Sequence, residues 1–92
     1  MTDRDLGEPT SFYSLTEGLD VFASDREKVG EVAAVFKDEA VDIFDGIEIS
    51  LVPLGRKVYA HADLVDEIYE RGVVLTVDEL AAQELPEQAG PR

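Results

Sequence analysis

The sequence predicts a mainly β domain: a small, partly open β-barrel of five or six strands with one or two short helices. Three observations carry that expectation. Apolar residues recur at alternate positions in short runs, as half-buried strands require. Polar or glycine-containing stretches of turn chemistry separate the runs. The chain has 92 residues, 45% of them hydrophobic, which is enough for one modest core and too little for a deep enclosed cleft.

Residues 1–11 are polar, hold Gly7 and Pro9, show no periodicity and read as a flexible N-terminal tail. The domain proper is expected over residues 12–85. Phe12, Tyr13 and Leu15 open it, and the Ser14–Glu17 spacing suggests one helical turn before Gly18. A hairpin follows. Residues 19–23 place Leu19, Val21 and Ala23 on one face and Phe22 on the other, and residues 24–28 make a polar tip. The return strand starts at Val29. There Val29, Val32 and Val35 stand three apart, a break in alternation that predicts a bulge.

After a charged turn at residues 37–40, Val41, Ile43, Ile47, Ile49 and Leu51 share one face. Asp42, Phe44, Glu48 and Ser50 share the other. Asp45-Gly46 inside this run marks either a turn between two strands or a glycine bend within one. Pro53 and Gly55 end it. Residues 56–61 form the next strand, with Val58 and Ala60 on one face and Lys57, Tyr59 and His61 on the other. Asp63 then reads as the N-cap of a short helix striped by Leu64, Val65, Ile68 and Tyr69 and stopped by Gly72. A last strand spans residues 73–77. A helix over residues 78–84 is expected to turn Leu80 and Ala81 inward, before a flexible C-terminal tail at 86–92.

Composition narrows the function. The chain contains no cysteine, which excludes disulfides, thiolate metal sites and cysteine nucleophiles. No apolar run approaches the roughly 20 residues of a membrane-spanning helix, and the N-terminus lacks the order of a signal peptide, so a cytoplasmic location is expected. The net charge of −13 would repel a phosphate backbone or an anionic lipid surface and favours a basic protein partner.

The order of these motifs resembles a known family. FYSLTEGLDVFASDREKVGEV is similar to the opening of PRC-barrel domains, and GRKVYAHADLVDEIYERGVVLTVDELAAQELPE looks like the second half of their stand-alone bacterial members. The resemblance runs over residues 12–87 and is carried mainly by Ser24-Asp25 with Lys28-Val29-Gly30. Where many relatives have glycine after the Ser-Asp pair this chain has Arg26, so the turn is expected to avoid a positive φ there or to shift it onto a neighbour. The resemblance implies a non-enzymatic protein-interaction module without a cofactor and with no catalytic residues to carry over. It would either self-associate as a homodimer or bind a basic protein. A ribosome-associated accessory factor that acts through a ribosomal protein is the alternative it suggests.

The candidate chemistry is sparse. His61 is the one histidine and reads as a surface residue. Asp38, Glu39, Asp42 and Asp45 lie close enough in sequence to suggest a divalent-metal-binding domain, but without calcium-loop spacing they read better as a solvated face. Phe22, Phe44 and Tyr59 fall on faces read as outward. They are either a second core layer or an interaction surface for a partner, and internal packing is the favoured reading.

Overall fold

The computed structural model describes residues 6–87 except 39, 42 and 54. Seven strands form one sheet: β1 (Pro9–Thr10), β2 (Asp20–Phe22), β3 (Lys28–Asp38), β4 (Ile43–Leu51), β5 (Lys57–His61), β6 (Val65–Tyr69) and β7 (Gly72–Leu75). Their order is β1-β6-β7-β2-β3-β4-β5, so the sheet does not close and β1 and β5 are its edges. All neighbours are antiparallel except β2 and β7, which run parallel. Val21, Val32, Ile47, Ile49, Val58, Ala60, Val73 and Leu75 bury side chains from five of these strands, β7 through β5 in sheet order, in one cluster. Strands so far apart in one sheet share a core only because the sheet curls, which makes it the partly open barrel expected. No polar or charged side chain is buried among the described residues.

The hairpin between β2 and β3 shows why the tip has its sequence. Arg26 N donates to the Ala23 carbonyl (2.8 Å) and Ala23 N to the Glu27 carbonyl (2.8 Å), which is a three-residue loop closed by a residue in the left-handed region. That residue is Arg26, at φ 71°. The sequence leads one to expect this conformation to be avoided or passed to a neighbour, and the structure overturns the expectation. The loop length demands the conformation at this position whatever residue is there. An L-residue pays roughly 1–2 kcal/mol for it. Arg26→Gly is therefore expected to stabilise the fold by about 1 kcal/mol, after allowing for glycine's freer unfolded chain. A rise of about 4 °C or more in thermal midpoint would show it; a fall would mean that the side chain of Arg26 contributes more than its backbone costs.

Four bulges interrupt three strand pairings: between Val21 and Phe22 against β3, at Val32/Ala34 and Phe36/Lys37 of β3 against β4, and at Val65/Glu67 against β7. The bulge expected in β3 is present. The one opposite Phe36/Lys37 falls at Asp45, where Gly46 takes φ 152°. Residues 43–51 are thus one strand with a glycine bend. The extra residue reverses the faces ahead of it. Ile43, expected inside, is 49% exposed, and Phe44, expected outside, packs against the core. Val41, at the turn, is exposed as well.

Other expectations need correction. The helix expected after Asp63 is a short 3-10 turn, Ala62–Leu64, followed by strand β6. Val65 and Ile68 share a face at a spacing of three because Asp66 is bulged between them, not because the chain is helical. The first helical turn lies at Phe12–Ser14 and is capped by Ser11. The final helix, α1 (Glu79–Gln83), is capped by Asp78, whose Oδ1 accepts from Ala81 N (2.9 Å). That cap sets the phase so that Ala82 is buried, with Val77 and Leu85 packed on the core, while Leu80 is 73% exposed.

Two stretches read as tails are also part of the structure. Pro9 and Thr10 pair with β6, and Arg71 N and Glu70 N donate to the Leu6 and Glu8 carbonyls. At the other edge Tyr59 N donates to the Pro86 carbonyl (2.8 Å), while Arg56 Nη1 and Nη2 reach the Gln83 and Leu85 carbonyls. Both stretches are held through the backbone, which leaves no apolar period in the sequence. The remainder of each expected tail, residues 1–5 and 88–92, lies outside the described residues.

Lys28 sits on the outer face between Asp20 (3.1 Å) and Glu31 (3.6 Å). The hydrogen bond to Asp20 raises its pKa above the ordinary 10.5, outweighing the opposing effect of burial. A raised folded-state value means this stabilisation is complete below about pH 10.5 and is lost as pH rises through the folded value. Tyr69 behaves likewise, its pKa raised by the hydrogen bond to Glu67. Stability is expected to fall as pH rises above the ordinary tyrosine and lysine values of about 10, and Lys28→Met to flatten the lysine part of that fall. Because the Lys28 side chain is 32% exposed, the change should be only a few tenths of a kcal/mol, read from urea midpoints at pH 8 and pH 11.

Candidate interaction groove

The curled sheet leaves a seam between its two ends, and the 3-10 turn Ala62–Leu64 crosses it from β5 to β6. An open groove of about 400 Å³ runs there. Pro9 and Thr10 of β1 and Val65 and Ile68 of β6 form one wall, and Phe44 and Ala62 the other. The charged residues lining it are Asp66 and Glu67, with no basic side chain among the described residues.

The bulge at Asp45 is what brings Phe44 to this wall. Its ring stacks on Phe12 at 5.4 Å between centroids, and Phe12 stacks on Tyr13 at 4.5 Å. Phe12, Phe44, Val65 and Ile68 all pack against the core. The groove floor is therefore continuous with the hydrophobic interior, a surface on which an apolar side chain would be well supported. Asp66 and Glu67 are exposed at its rim. Glu67 accepts the Tyr69 hydroxyl, and Asp66 makes no ion pair among the described residues.

The three aromatic residues singled out in the sequence are not brought together. Phe22 is 2% exposed on the opposite face of the sheet, beside Val74 and close to Leu6 across Gly72. It is a second core layer, as the packing alternative has it, but under the N-terminal segment rather than under a helix. Tyr59 is half-buried on the outer face of β5. Its hydroxyl donates to the Asp45 carbonyl (2.8 Å), its ring covers Gly46, and Phe36 lies 5.8 Å from it. Its visible work is to hold the β4 bulge. Phe44 alone lies in the groove. Sequence reasoning missed Phe12, Val65, Asp66 and Ile68 as its companions, because the spacing of Val65 and Ile68 imitates a helix stripe.

His61 is on the surface, where Nδ1 accepts from Asp63 N (3.2 Å) and caps the 3-10 turn. Of the acidic quartet, Asp38 accepts from Ala40 N and Asp45 forms the bulge, while Glu39 and Asp42 lie outside the described residues. Among the described residues no three potential metal ligands cluster, and no helix is long and apolar enough to cross a membrane. Neither a protein-family model nor a curated protein matches the chain.

Proposed function

We propose that this chain is a non-enzymatic, cytoplasmic interaction module of the PRC-barrel type that binds a basic protein through the seam groove. The observation that carries this reading is the groove itself: an apolar floor continuous with the core, rimmed by acids alone, on a chain of net charge −13. A field of that sign draws in cationic partners and turns away nucleic acid. Pairing with a second copy is the weaker choice. The β5 edge is strapped by residues 83–87, β1 is two residues long and contains a proline, and two acidic rims would repel.

Immobilised protein is expected to retain a basic protein from native lysate and to release it as salt is raised to about 0.5 M. Phe44→Ser, and independently Asp66→Lys with Glu67→Lys, should abolish that capture while leaving the circular dichroism of the fold in place. Capture that is unchanged in both variants would refute the assignment to this groove.

A further inference from the structure

Recognition in the groove falls to side chains. The Val65 N–H donates to the Ala62 carbonyl as the cap of the 3-10 turn, and Pro9 and Thr10 are paired with Tyr69 and Ile68. Of the polar side chains that line the groove, the Thr10 hydroxyl shares a hydrogen bond with Ser14 (2.9 Å) and Glu67 accepts from Tyr69. That leaves the Asp66 carboxylate, which has no hydrogen bond or ion pair among the described residues. Phe44 supplies the aromatic ring of the lining. Phe12 stacks on it with the ring planes 11° apart, Tyr13 stacks on Phe12, and neither of them lines the groove. The stack thus stands behind Phe44, and the ring meets the groove with the side that the stack leaves open.

We infer that the basic partner is anchored in the groove by an arginine side chain, with its stem along Val65 and Ile68, its guanidinium against Phe44 and its charge met by Asp66. This rests on the function proposed above and names the residue that the groove selects. An aromatic ring, aliphatic side chains and a free carboxylate border one groove, so the anchor has to carry apolar surface and positive charge together. Lysine and arginine both bring an apolar stem that can lie on such a floor. They differ at the head. An ammonium is compact and strongly hydrated, which keeps it at the rim with Asp66 and Glu67. A guanidinium is planar and weakly hydrated, so it stacks on a ring and still directs N–H groups from its edge to a carboxylate. At about 400 Å³ the groove has room for that side chain and an apolar neighbour beside it.

The test titrates the full chain, labelled with nitrogen-15, with a blocked peptide in which one arginine stands between two valines, and with its lysine and citrulline counterparts. The arginine peptide is expected to shift the amides of Phe44 and residues 65–68. It should bind about fivefold more tightly than the lysine peptide, the size of a cation–π contact at an exposed site. Citrulline keeps the planar shape without the charge and should bind more weakly than either. Asp66→Asn should weaken the arginine and lysine peptides alike, by about threefold, whereas Phe44→Leu should bring the two to parity. Asp66 is exposed, so its variant and the wild-type ratio carry the test without disturbing the core. Equal binding of arginine and lysine by wild type, or an arginine preference that survives Phe44→Leu, would overturn the arginine anchor. In either case shifts confined to Phe44 and residues 65–68 would still uphold the groove as the docking site. Shifts elsewhere with all three peptides would overturn both claims, so the two fail separately.

Discussion

Gly30→Ala is expected to lower stability by about 3 kcal/mol, the upper part of the range for forcing a methyl group into a packed interior. Gly30 is buried in β3 opposite Leu51, and a Cβ there would run into the Ser50 carbonyl oxygen, with Ile49 Cγ2 at 2.9 Å. The first obstacle is backbone within the best-paired strand of the sheet, so it cannot swing away as a side chain would. Thermal midpoint should fall by more than 10 °C (about 4–8 °C per kcal/mol at this size,). Shortening the neighbour with Ile49→Val should not restore it. A double variant as stable as wild type would mean that the strands separate easily here, against the geometry.

Gly46→Ala should cost a similar amount, about 3 kcal/mol, for two additive reasons. At φ 152° the backbone lies where residues with a Cβ are strained, and the new methyl group would meet the Ala60 carbonyl oxygen and come within 2.7 Å of the Tyr59 hydroxyl. Displacing Tyr59 also releases its hydrogen bond to the Asp45 carbonyl, which secures the bulge. Gly18→Ala is the internal control. Gly18 has φ 94° but nothing within 4 Å of a Cβ, so only the conformational cost of about 1 kcal/mol should appear. Chemical denaturation of the two variants side by side checks both figures. Equal losses would show that crowding at Gly46 contributes nothing.

The Gly46 geometry also explains which parts of this protein were legible in its sequence. Strands without a bulge read correctly: the alternation Lys57, Val58, Tyr59, Ala60, His61 gave the faces of β5 as they are found. Bulged strands misled wherever the bulge was not suspected. A bulge puts residues three apart on one face, which is also the signature of a helix. At Val32 and Val35 the turn before them and the glycine beside them pointed to a strand, and that reading holds. At Val65 and Ile68 a capping aspartate ahead and a glycine behind pointed to a helix, and the tertiary pairing with β7 prevailed. The groove inherits this problem. Two of its apolar residues sit beside one bulge, and Phe44 faces it because of another, so no strict periodicity could have assembled it. The tail segments along β6 and β5 were invisible for a different reason, since main-chain hydrogen bonds leave no mark on side-chain composition.

The strap over β5 has an unequal distribution of information. Each hydrogen bond it receives from β5 or from Arg56 ends on a main-chain carbonyl, at Gln83, Leu85 or Pro86. A carbonyl is the same in every residue, so most side chains along residues 83–87 could be exchanged without changing what is held, apart from Leu85, which packs on the core, and Glu87, whose carboxylate lies 3.8 Å from Arg56 Nε. Arg56 has no such latitude. Its forked guanidinium spans two acceptors at once, and lysine offers only a single point of attachment. The strap is therefore written into the chain 27 positions before Gln83, three strands earlier, at an exposed arginine that would look dispensable from its own surroundings.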